Sequence, residues 1–258
     1  MAALSPLFVS HGAPTLPFED VPARHFLTAL GTSLPRPRAI LMISAHWETD
    51  IPTFNAVAQP RTIHDFAGFP AALYQLHYPA SGDLSLAQKI AEHLHAAHLP
   101  VAIDSARGLD HGAWVPLMLM WPHADIPVVQ LSLQKTGGPH AHLEIGRALA
   151  PLAEDHVQII ASGSFTHDLS SWRGQAGMAE PQWVTDFADW MHAALVTGRT
   201  EDALAYRQLA PHAVRNHPSE EHLLPLFVAM GAAGAPRPAK RLHSSTTYGV
   251  LRMDAYQF

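Results

Sequence analysis

The sequence contains no cysteine among its 258 residues, so it can form neither disulfide bonds nor thiolate metal sites. A cysteine nucleophile is excluded for the same reason. Basic residues are also few, because 16 lysines and arginines stand against 22 acidic residues, which gives a formal net charge of −6. Since no basic cluster is present to neutralise phosphates, we expect neither a nucleic-acid partner nor an anionic membrane partner.

Long apolar runs are missing as well. No apolar stretch reaches the roughly 18 residues that a membrane-spanning helix needs. Residues 1–12 lack the basic segment and the cleavage site of a secretory leader. We therefore expect a cytoplasmic protein, and the sequence leaves its oligomeric state open between a monomer and a small homo-oligomer.

Hydrophobic residues make up 48% of the chain, which is enough for a sizeable core. Four short apolar runs are typical of strands buried on both faces, namely residues 6–14, 39–47, 126–134 and 157–169. Four other segments have helical spacing, namely residues 84–99, 142–156, 181–198 and 219–234. The alternating tail, residues 245–258, predicts an edge strand that is either parallel or antiparallel. We expect one three-layer α/β domain over residues 1–258, in which helices flank a central, mostly parallel sheet.

Histidine is abundant, with 19 residues, and three of these histidines follow predicted buried strands: His11, His46 and His167. In an open α/β sheet, ligands bind at the carboxyl ends of the parallel strands. Small residues accompany all three histidines and leave room for a ligand, namely Ser10, Gly12, Ser44, Ala45, Ser162, Gly163 and Ser164. We therefore interpret these strand ends as one site.

Two more histidines lie in turns. His111 stands between Asp110 and Gly112, just before an apolar helical run. His222 falls in the first turns of a predicted helix, where the following leucines indicate a buried face, so it is a candidate to close a metal site. By contrast, we assign the histidines of the helix 84–99 to an ordinary solvated face, namely His93, His95 and His98.

Histidine ligands without thiolates suit zinc, copper, nickel or non-haem iron. A facial set of three ligands lets iron(II) bind a substrate and dioxygen together, whereas zinc in the same set can ionise a water for hydrolysis. A spare histidine, with an ordinary pKa of about 6.5, suits proton transfer at neutral pH. His167 and His111 are the candidates for that role.

Six motifs follow one another along the chain: "SHGAP", "SAHW", "HDFAGFP…LHYPASGD", "GLDHGAWVPL", "GSFTHDL" and "HPSEEHLLPL". In order and approximate spacing, the chain from about residue 6 to its end resembles class III extradiol ring-cleavage dioxygenases of the 4,5-DOPA dioxygenase type. The resemblance implies an enzyme that uses O2 to open a catechol, DOPA-like or other, to a muconic semialdehyde. It also implies one divalent metal per chain, Fe(II) for activity, with Zn(II) as an occupant acquired during purification because zinc binds more tightly.

The resemblance assigns the metal ligands residue by residue. It implies that His11, His46 and His222 bind the metal, and more distant relatives keep Glu221 open as an alternative third ligand. It implies that His167 is the acid/base, or an additional residue that faces the metal.

The resemblance also implies His111 on the substrate side, and we expect His64 and Ser10 to contact substrate as well. The chain departs from the family pattern at Asp168, where asparagine is usual, and at His64, where an aromatic residue is common. The second departure weakens any prediction of which catechol is bound.

Two other functions stay open on the same residues, a zinc-dependent hydrolase and a non-catalytic metal-binding or adaptor protein. A passive metal site does not require a proton-transfer histidine beside an open coordination position. His167 and His111 therefore favour the enzyme, while the natural catechol, the position of ring cleavage and the native metal stay undetermined.

Overall fold

The structure is a computed structural model that describes residues 3–172 and 178–258. The predicted domain over 1–258 also includes residues 1–2 and 173–177, which lie outside the described residues. The described part contains ten strands: Leu7–Ser10 (β1), Ala39–Thr49 (β2), Thr53–Asn55 (β3), Ala102–Asp104 (β4), Val128–Gln134 (β5), Val157–Gly163 (β6), Lys240–His243 (β7), Thr246–Thr247 (β8), Leu251–Arg252 (β9) and Ala255–Gln257 (β10).

The same residues form nine α-helices: Pro22–Ser33 (α1), Leu84–Ala96 (α2), His111–Met120 (α3), Gly138–Leu149 (α4), Gln182–Val196 (α5), Thr200–Leu204 (α6), Tyr206–Leu209 (α7), Ala213–Asn216 (α8) and Leu224–Ala232 (α9). Short 3₁₀ turns cover Leu16–Phe18, Ala71–Gln75, Ala150–Ala153 and Leu169–Ser171. Within the described ranges, no helix has the length and apolar character needed to cross a membrane.

Eight strands form one sheet in the order β4-β3-β5-β2-β6-β1-β10-β7. The inner strands β5, β2, β6 and β1 run parallel to their neighbours within that group, and β3 is antiparallel to β5. At the other side, β10 and β7 add antiparallel strands from the C-terminal part of the chain. The prediction of a mostly parallel sheet with C-terminal edge strands is confirmed, and the structure shows that these strands are antiparallel.

Helices cover both faces of the sheet, which explains why the inner strands are apolar without alternation. Along β2, Leu41 and Ile43 join the core that includes residues of α2, α4, α5 and α9. Their neighbours Ile40 and Met42 join the opposite core, which includes residues of α1 and α3. Successive side chains of one strand thus enter two different cores, and the three-layer prediction is confirmed.

Two predicted helices have different bounds in the structure. The helix expected over 142–156 begins at Gly138 and ends at Leu149, where a 3₁₀ turn continues the chain. The helix expected over 219–234 begins only at Leu224, with Pro225 in its first turn, a position that suits proline. His222 therefore lies in the turn before α9, whereas the spacing predicts it in the first turns of the helix.

Helices α4 and α9 pack so closely that only glycine fits at two contact points. A Cβ atom on Gly231 would lie 2.0 Å from the carbonyl oxygen of Leu143, and one on Gly146 would lie 2.1 Å from that of Val228. We expect Gly231→Ala to force the helices apart and to lower the free energy of unfolding by about 1–3 kcal/mol. Urea unfolding followed by circular dichroism measures this loss.

The matched control is Glu144→Ala, which removes a half-exposed side chain from the outer face of α4. We expect this control to change the free energy of unfolding by no more than about 0.5 kcal/mol. A Gly231→Ala protein as stable as the wild type would contradict the tight packing of the two helices.

Candidate metal and active site

Three parallel strands deliver histidines to one edge of the sheet. His11 directly follows β1, and its backbone N–H donates to the carbonyl oxygen of Gly163 at 3.0 Å. His46 lies inside β2, which continues to Thr49, beyond the predicted end at residue 47. His167 follows β6 by four residues, and its backbone N–H donates to the carbonyl oxygen of Asn216 at 2.8 Å. The predicted convergence of these strand ends is therefore present in the fold.

Helix α3 presents His111, which is its first residue, to the same edge. Asp110 caps the helix, because its carboxylate accepts a hydrogen bond from the backbone N–H of Ala113 at 3.2 Å. The same buried carboxylate accepts hydrogen bonds from Ser44 at 2.6 Å and from Arg107 at 3.0 Å. These bonds fix the start of α3 against β2, and thereby His111 next to His46.

Three imidazole nitrogens meet at the centre of this edge. The Nε2 atoms of His11 and His46 are 3.0 Å apart, and the ring of His222 lies 5.6 Å and 4.9 Å from these two rings. One nitrogen from each histidine lies within 4.8 Å of the other two. Since nitrogen ligands at about 2.0–2.1 Å from a metal lie roughly 3.3 Å from one another, the spacing fits a single metal ion.

Two of these histidines have a hydrogen-bond partner on the Nδ1 atom, which points away from the centre; we call these groups outer partners. The Nδ1 atom of His11 lies 3.0 Å from the hydroxyl of Ser162, and that of His222 lies 2.9 Å from the carboxylate of Glu221. The Nε2 atom of His222 is buried and has no hydrogen-bond partner among the described residues. Histidines that bind metals typically have one ring nitrogen in a hydrogen bond and the other free to bind the metal. His222 shows this arrangement.

Asp65 is the residue that the sequence did not assign. Its carboxylate lies 3.0 Å from Nδ1 of His111 and 3.6 Å from Nδ1 of His46, and it accepts the backbone N–H of His111 at 2.9 Å. Burial raises the pKa of Asp65, but the hydrogen bonds and charge of His111 outweigh this and lower it to about 2. The ionised carboxylate therefore orients both rings.

His167 stacks on His222, with ring centroids 3.4 Å apart and planes inclined by 10°. The carboxylate of the neighbouring Asp168 binds the residues that follow it. It accepts hydrogen bonds from the backbone N–H of Ser170 at 3.0 Å and from the hydroxyl of Ser171 at 2.6 Å. Asp168, where asparagine is usual in the family, thus caps the 3₁₀ turn Leu169–Ser171.

Burial lowers the pKa values of four histidines in the cluster, namely His11, His46, His167 and His222. Loss of solvent, followed by the charges of neighbouring histidines, holds the pKa values of His11 and His222 well below the ordinary value. Burial and His111 lower the pKa of His46 to about 3, and burial lowers that of His167 to about 4. A metal binds only the unprotonated imidazole, so the free site is ready for a metal at neutral pH.

The cluster opens into a cavity of about 550 Å³. His11, His46, His111, His167 and His222 form its polar wall. The remaining wall is mainly apolar, with Ala13, Pro14, Phe66, Phe69, Leu169, Trp172, Tyr248 and Leu251. A cavity with one polar wall and a mainly apolar remainder is typical of a small-molecule site.

The structure does not bring two of the predicted substrate contacts to this cavity. The ring of His64 lies beside that of Trp114, and its Nε2 atom is 3.0 Å from the carbonyl oxygen of Leu76. Ser10 donates to the carbonyl oxygen of Asp254 at 2.9 Å and accepts the backbone N–H of Phe165 at 3.2 Å. Both side chains serve the fold, so the prediction that they contact substrate has no geometric support.

The hydroxyl of Ser162 provides a test of the outer partners. We expect Ser162→Ala to weaken metal affinity by about 10–100-fold, because the ring of His11 loses the group that orients it. Competition with a chromophoric chelator measures the affinity. The control is Ser164→Ala, since that buried hydroxyl donates to the carbonyl oxygen of Thr166 at 2.7 Å. Equal metal affinity in the two variants would contradict the assignment.

Comparison with known proteins adds independent findings. Residues 7–255 match the family described as the catalytic LigB subunit of aromatic ring-opening dioxygenase. The chain is 45% identical over 256 residues to the "4,5-DOPA dioxygenase extradiol" of Beta vulgaris, with 97% of this chain and 95% of that protein covered. It is 40% identical over 254 residues to the Escherichia coli K12 protein of the same name, covering 97% and 93%.

A solved structure shows the same fold. The crystal structure of an uncharacterized protein from Escherichia coli K12 superimposes with a TM-score of 0.82 and 33% sequence identity. The superposition covers 99% of each chain. The whole domain, and not an isolated motif, is therefore shared.

Proposed function

The chain belongs to the family of the catalytic LigB subunit of aromatic ring-opening dioxygenase, and from this premise we propose that the histidine cluster is its catalytic centre. The protein is a non-haem, metal-dependent extradiol dioxygenase that opens an aromatic ring with O2. The proposal concerns the residues that hold the metal, the metal itself and the substrate.

One observation carries the proposal, namely the convergence of three imidazoles with an unpaired nitrogen at the centre. His11, His46 and His222 would hold one divalent metal through their Nε2 atoms. Glu221 lies behind His222 and contacts its Nδ1 atom at 2.9 Å. This position supports Glu221 as an outer partner and His222 as the third ligand.

We assign iron(II) as the active metal and a catechol as the substrate. Held by these three histidines, iron(II) would supply a redox-active centre for the reaction of a catechol with O2. Zinc binds more tightly in the usual affinity order, so we expect it to replace iron readily during purification.

Two histidines handle the protons of the substrate. His167 lies in the cavity wall, and its ring stacks on that of the metal ligand His222. This stacking holds the His167 ring within reach of a bound catechol. It receives the proton of a catechol hydroxyl and returns it as the ring opens. His111 has its Nδ1 atom beside Asp65, so its Nε2 atom is the one available to orient the substrate oxygens.

The apolar wall has a separate role. Phe66 lies against His111, with ring centroids 5.6 Å apart, and it packs edge to face on Phe69 at 5.4 Å. These rings offer a surface for the catechol ring and limit the water that reaches the reacting oxygens.

Anaerobic loading with iron(II), followed by exposure to O2 and a panel of catechols, tests the proposed function. We expect O2 to be consumed in equal amounts with the catechol, together with the yellow absorbance of a muconic semialdehyde. Protein loaded with zinc serves as the control and should consume no O2. Failure of every catechol in the panel, unsubstituted catechol included, would contradict the proposal.

A further inference from the structure

The turn between β8 and β9 contains a bulky residue in a backbone conformation that such residues rarely adopt. Tyr248 has a φ of 58°, in the left-handed region, and Gly249 follows with a φ of 73°. Glycine adopts this conformation freely, whereas a tyrosine is strained in it. Residues held in such strained conformations cluster at functional sites, where the surrounding structure keeps them in place. The surroundings of Tyr248 therefore indicate what the strain serves.

Contacts from two distant segments hold the side chain of Tyr248. Its hydroxyl donates to the carboxylate of Glu19 at 2.6 Å, and the same carboxylate accepts the hydroxyl of Thr15. Burial, together with the hydrogen bond to Glu19, raises the pKa of Tyr248 to about 12, so the phenol keeps its proton and remains a donor. The ring of Tyr248 meets that of Trp172 edge to face, with centroids 5.5 Å apart. The ring is thus fixed from two sides.

This fixed ring lines the same cavity as the histidine cluster. His11 and His222, at the floor, are only 2% and 5% exposed, whereas Trp172, which contacts Tyr248, is 48% exposed. Tyr248 therefore lies toward the mouth of the cavity. A catechol bound with both oxygens at the histidines turns the opposite side of its ring, carbons 4 and 5, toward that mouth. A substituent on carbon 4 thus points to the wall that contains Tyr248.

We propose, on the basis of the proposed ring-cleaving function, that Tyr248 determines specificity by contacting the ring substituent opposite the two catechol oxygens. The tyrosine ring packs on the substituent and removes apolar surface of both groups from water. Glu19 is a positioning residue, because it acts through the hydroxyl of Tyr248 and keeps the ring from turning out to solvent. The enzyme therefore binds 4-substituted catechols more tightly than catechol itself.

Two neutral compounds, catechol and 4-ethylcatechol, test the proposal. We expect Tyr248→Asn to raise KM for 4-ethylcatechol on the iron-loaded enzyme by about tenfold, while kcat, and KM for catechol, change by less than about twofold. Calorimetric titration of the zinc-loaded protein should show the same rise in Kd for 4-ethylcatechol. Asparagine tolerates the left-handed conformation, so we expect Tm to stay within about 4 °C of the wild type.

Three results would contradict this account. An unchanged Kd for 4-ethylcatechol in Tyr248→Asn, or an equal loss of affinity for both compounds, would overturn the proposal. A lower Tm together with unchanged Kd values would assign Tyr248 to stability alone. Failure of the ring-cleaving function is a separate result, because neither compound would then cause O2 uptake by the wild type, whereas the Kd values of the zinc-loaded protein would still report the role of Tyr248.

Variants of Glu19 test the positioning role. We expect Glu19→Ala to raise Kd for 4-ethylcatechol by about three- to tenfold, whereas Glu19→Gln should stay within about twofold of the wild type because its amide oxygen can accept the same hydroxyl groups. Equal Kd values in these two variants would overturn that role. The matched control is His98→Asn, since His98 also has a φ of 58° but is exposed after α2 and does not line the cavity. It should leave every Kd and KM unchanged.

Discussion

His222→Ala is expected to remove the metal from the protein and to abolish turnover. The inner nitrogen of His222 is buried and has no other partner among the described residues, so its loss leaves two ligands and an empty space. Loss of an outer partner costs roughly 10–100-fold in metal affinity, and loss of a ligand should cost more than that. Metal content by mass spectrometry and O2 uptake with a catechol measure the two effects.

The control for this prediction is Glu221→Gln, which changes the group behind His222 and leaves the ligand in place. We expect this variant to bind metal about 10–100-fold more weakly and to regain activity when metal is in excess. If Glu221→Gln loses the metal entirely and His222→Ala keeps it, the carboxylate is the third ligand and our assignment is wrong.

His167→Ala is expected to lower kcat by about 10²–10⁴-fold while the protein keeps its metal. The reason is that His167 stacks on the proposed ligand His222 but is not part of the proposed set of three ligands, so the variant should lose proton transfer alone. Steady-state kinetics on iron-loaded protein, with iron counted per chain, separate the two properties. His95→Ala, on the exposed side of α2, should leave kcat and metal content unchanged.

The opposite pattern would exchange the two roles. A His167→Ala protein without metal, together with a His222→Ala protein that retains it, would make His167 a ligand. The set of His167, Glu221 and His222 is close enough in space for this alternative to be meaningful. The pair of variants therefore decides between two specific arrangements.

The sheet could be predicted from the sequence because its inner strands are buried on both faces. The runs 39–47 and 157–169 both begin with mostly apolar residues, and this continuity indicates strands between two layers of helices. Helix α3 was predicted only in part, as an apolar run after His111. It is buried along nearly its whole length, so it shows no amphipathic period that would mark its bounds.

The candidate site could be predicted at the positions that follow the parallel strands. His11, His46 and His167 lie at or near the carboxyl ends of β1, β2 and β6, and parallel strands bring such positions together. The sequence around His222 made it a candidate to close a metal site, and the resemblance named it as a ligand. The turn that carries it is set by a contact with the sheet, in which the backbone N–H of Ser164 donates to its carbonyl oxygen at 2.8 Å.

The loop between β3 and α2 shows the limit of sequence analysis. His64 and Asp65 are neighbours, yet Asp65 contacts two histidines of the cluster whereas His64 turns toward Leu76. Long-range contacts decide this orientation, such as the 2.7 Å hydrogen bond from the backbone N–H of Ile63 to Leu109. No periodic pattern in the sequence reports such contacts, so the sequence draws attention to His64 and gives no sign of Asp65.

The most direct test of the central claim is an anomalous difference map from crystals of the iron-loaded protein, collected at the iron absorption edge. We predict one peak per chain, at about 2.0–2.2 Å from the Nε2 atoms of His11, His46 and His222. A peak between His46, Asp65 and His111, or one bound to the carboxylate of Glu221, would contradict the proposed metal centre.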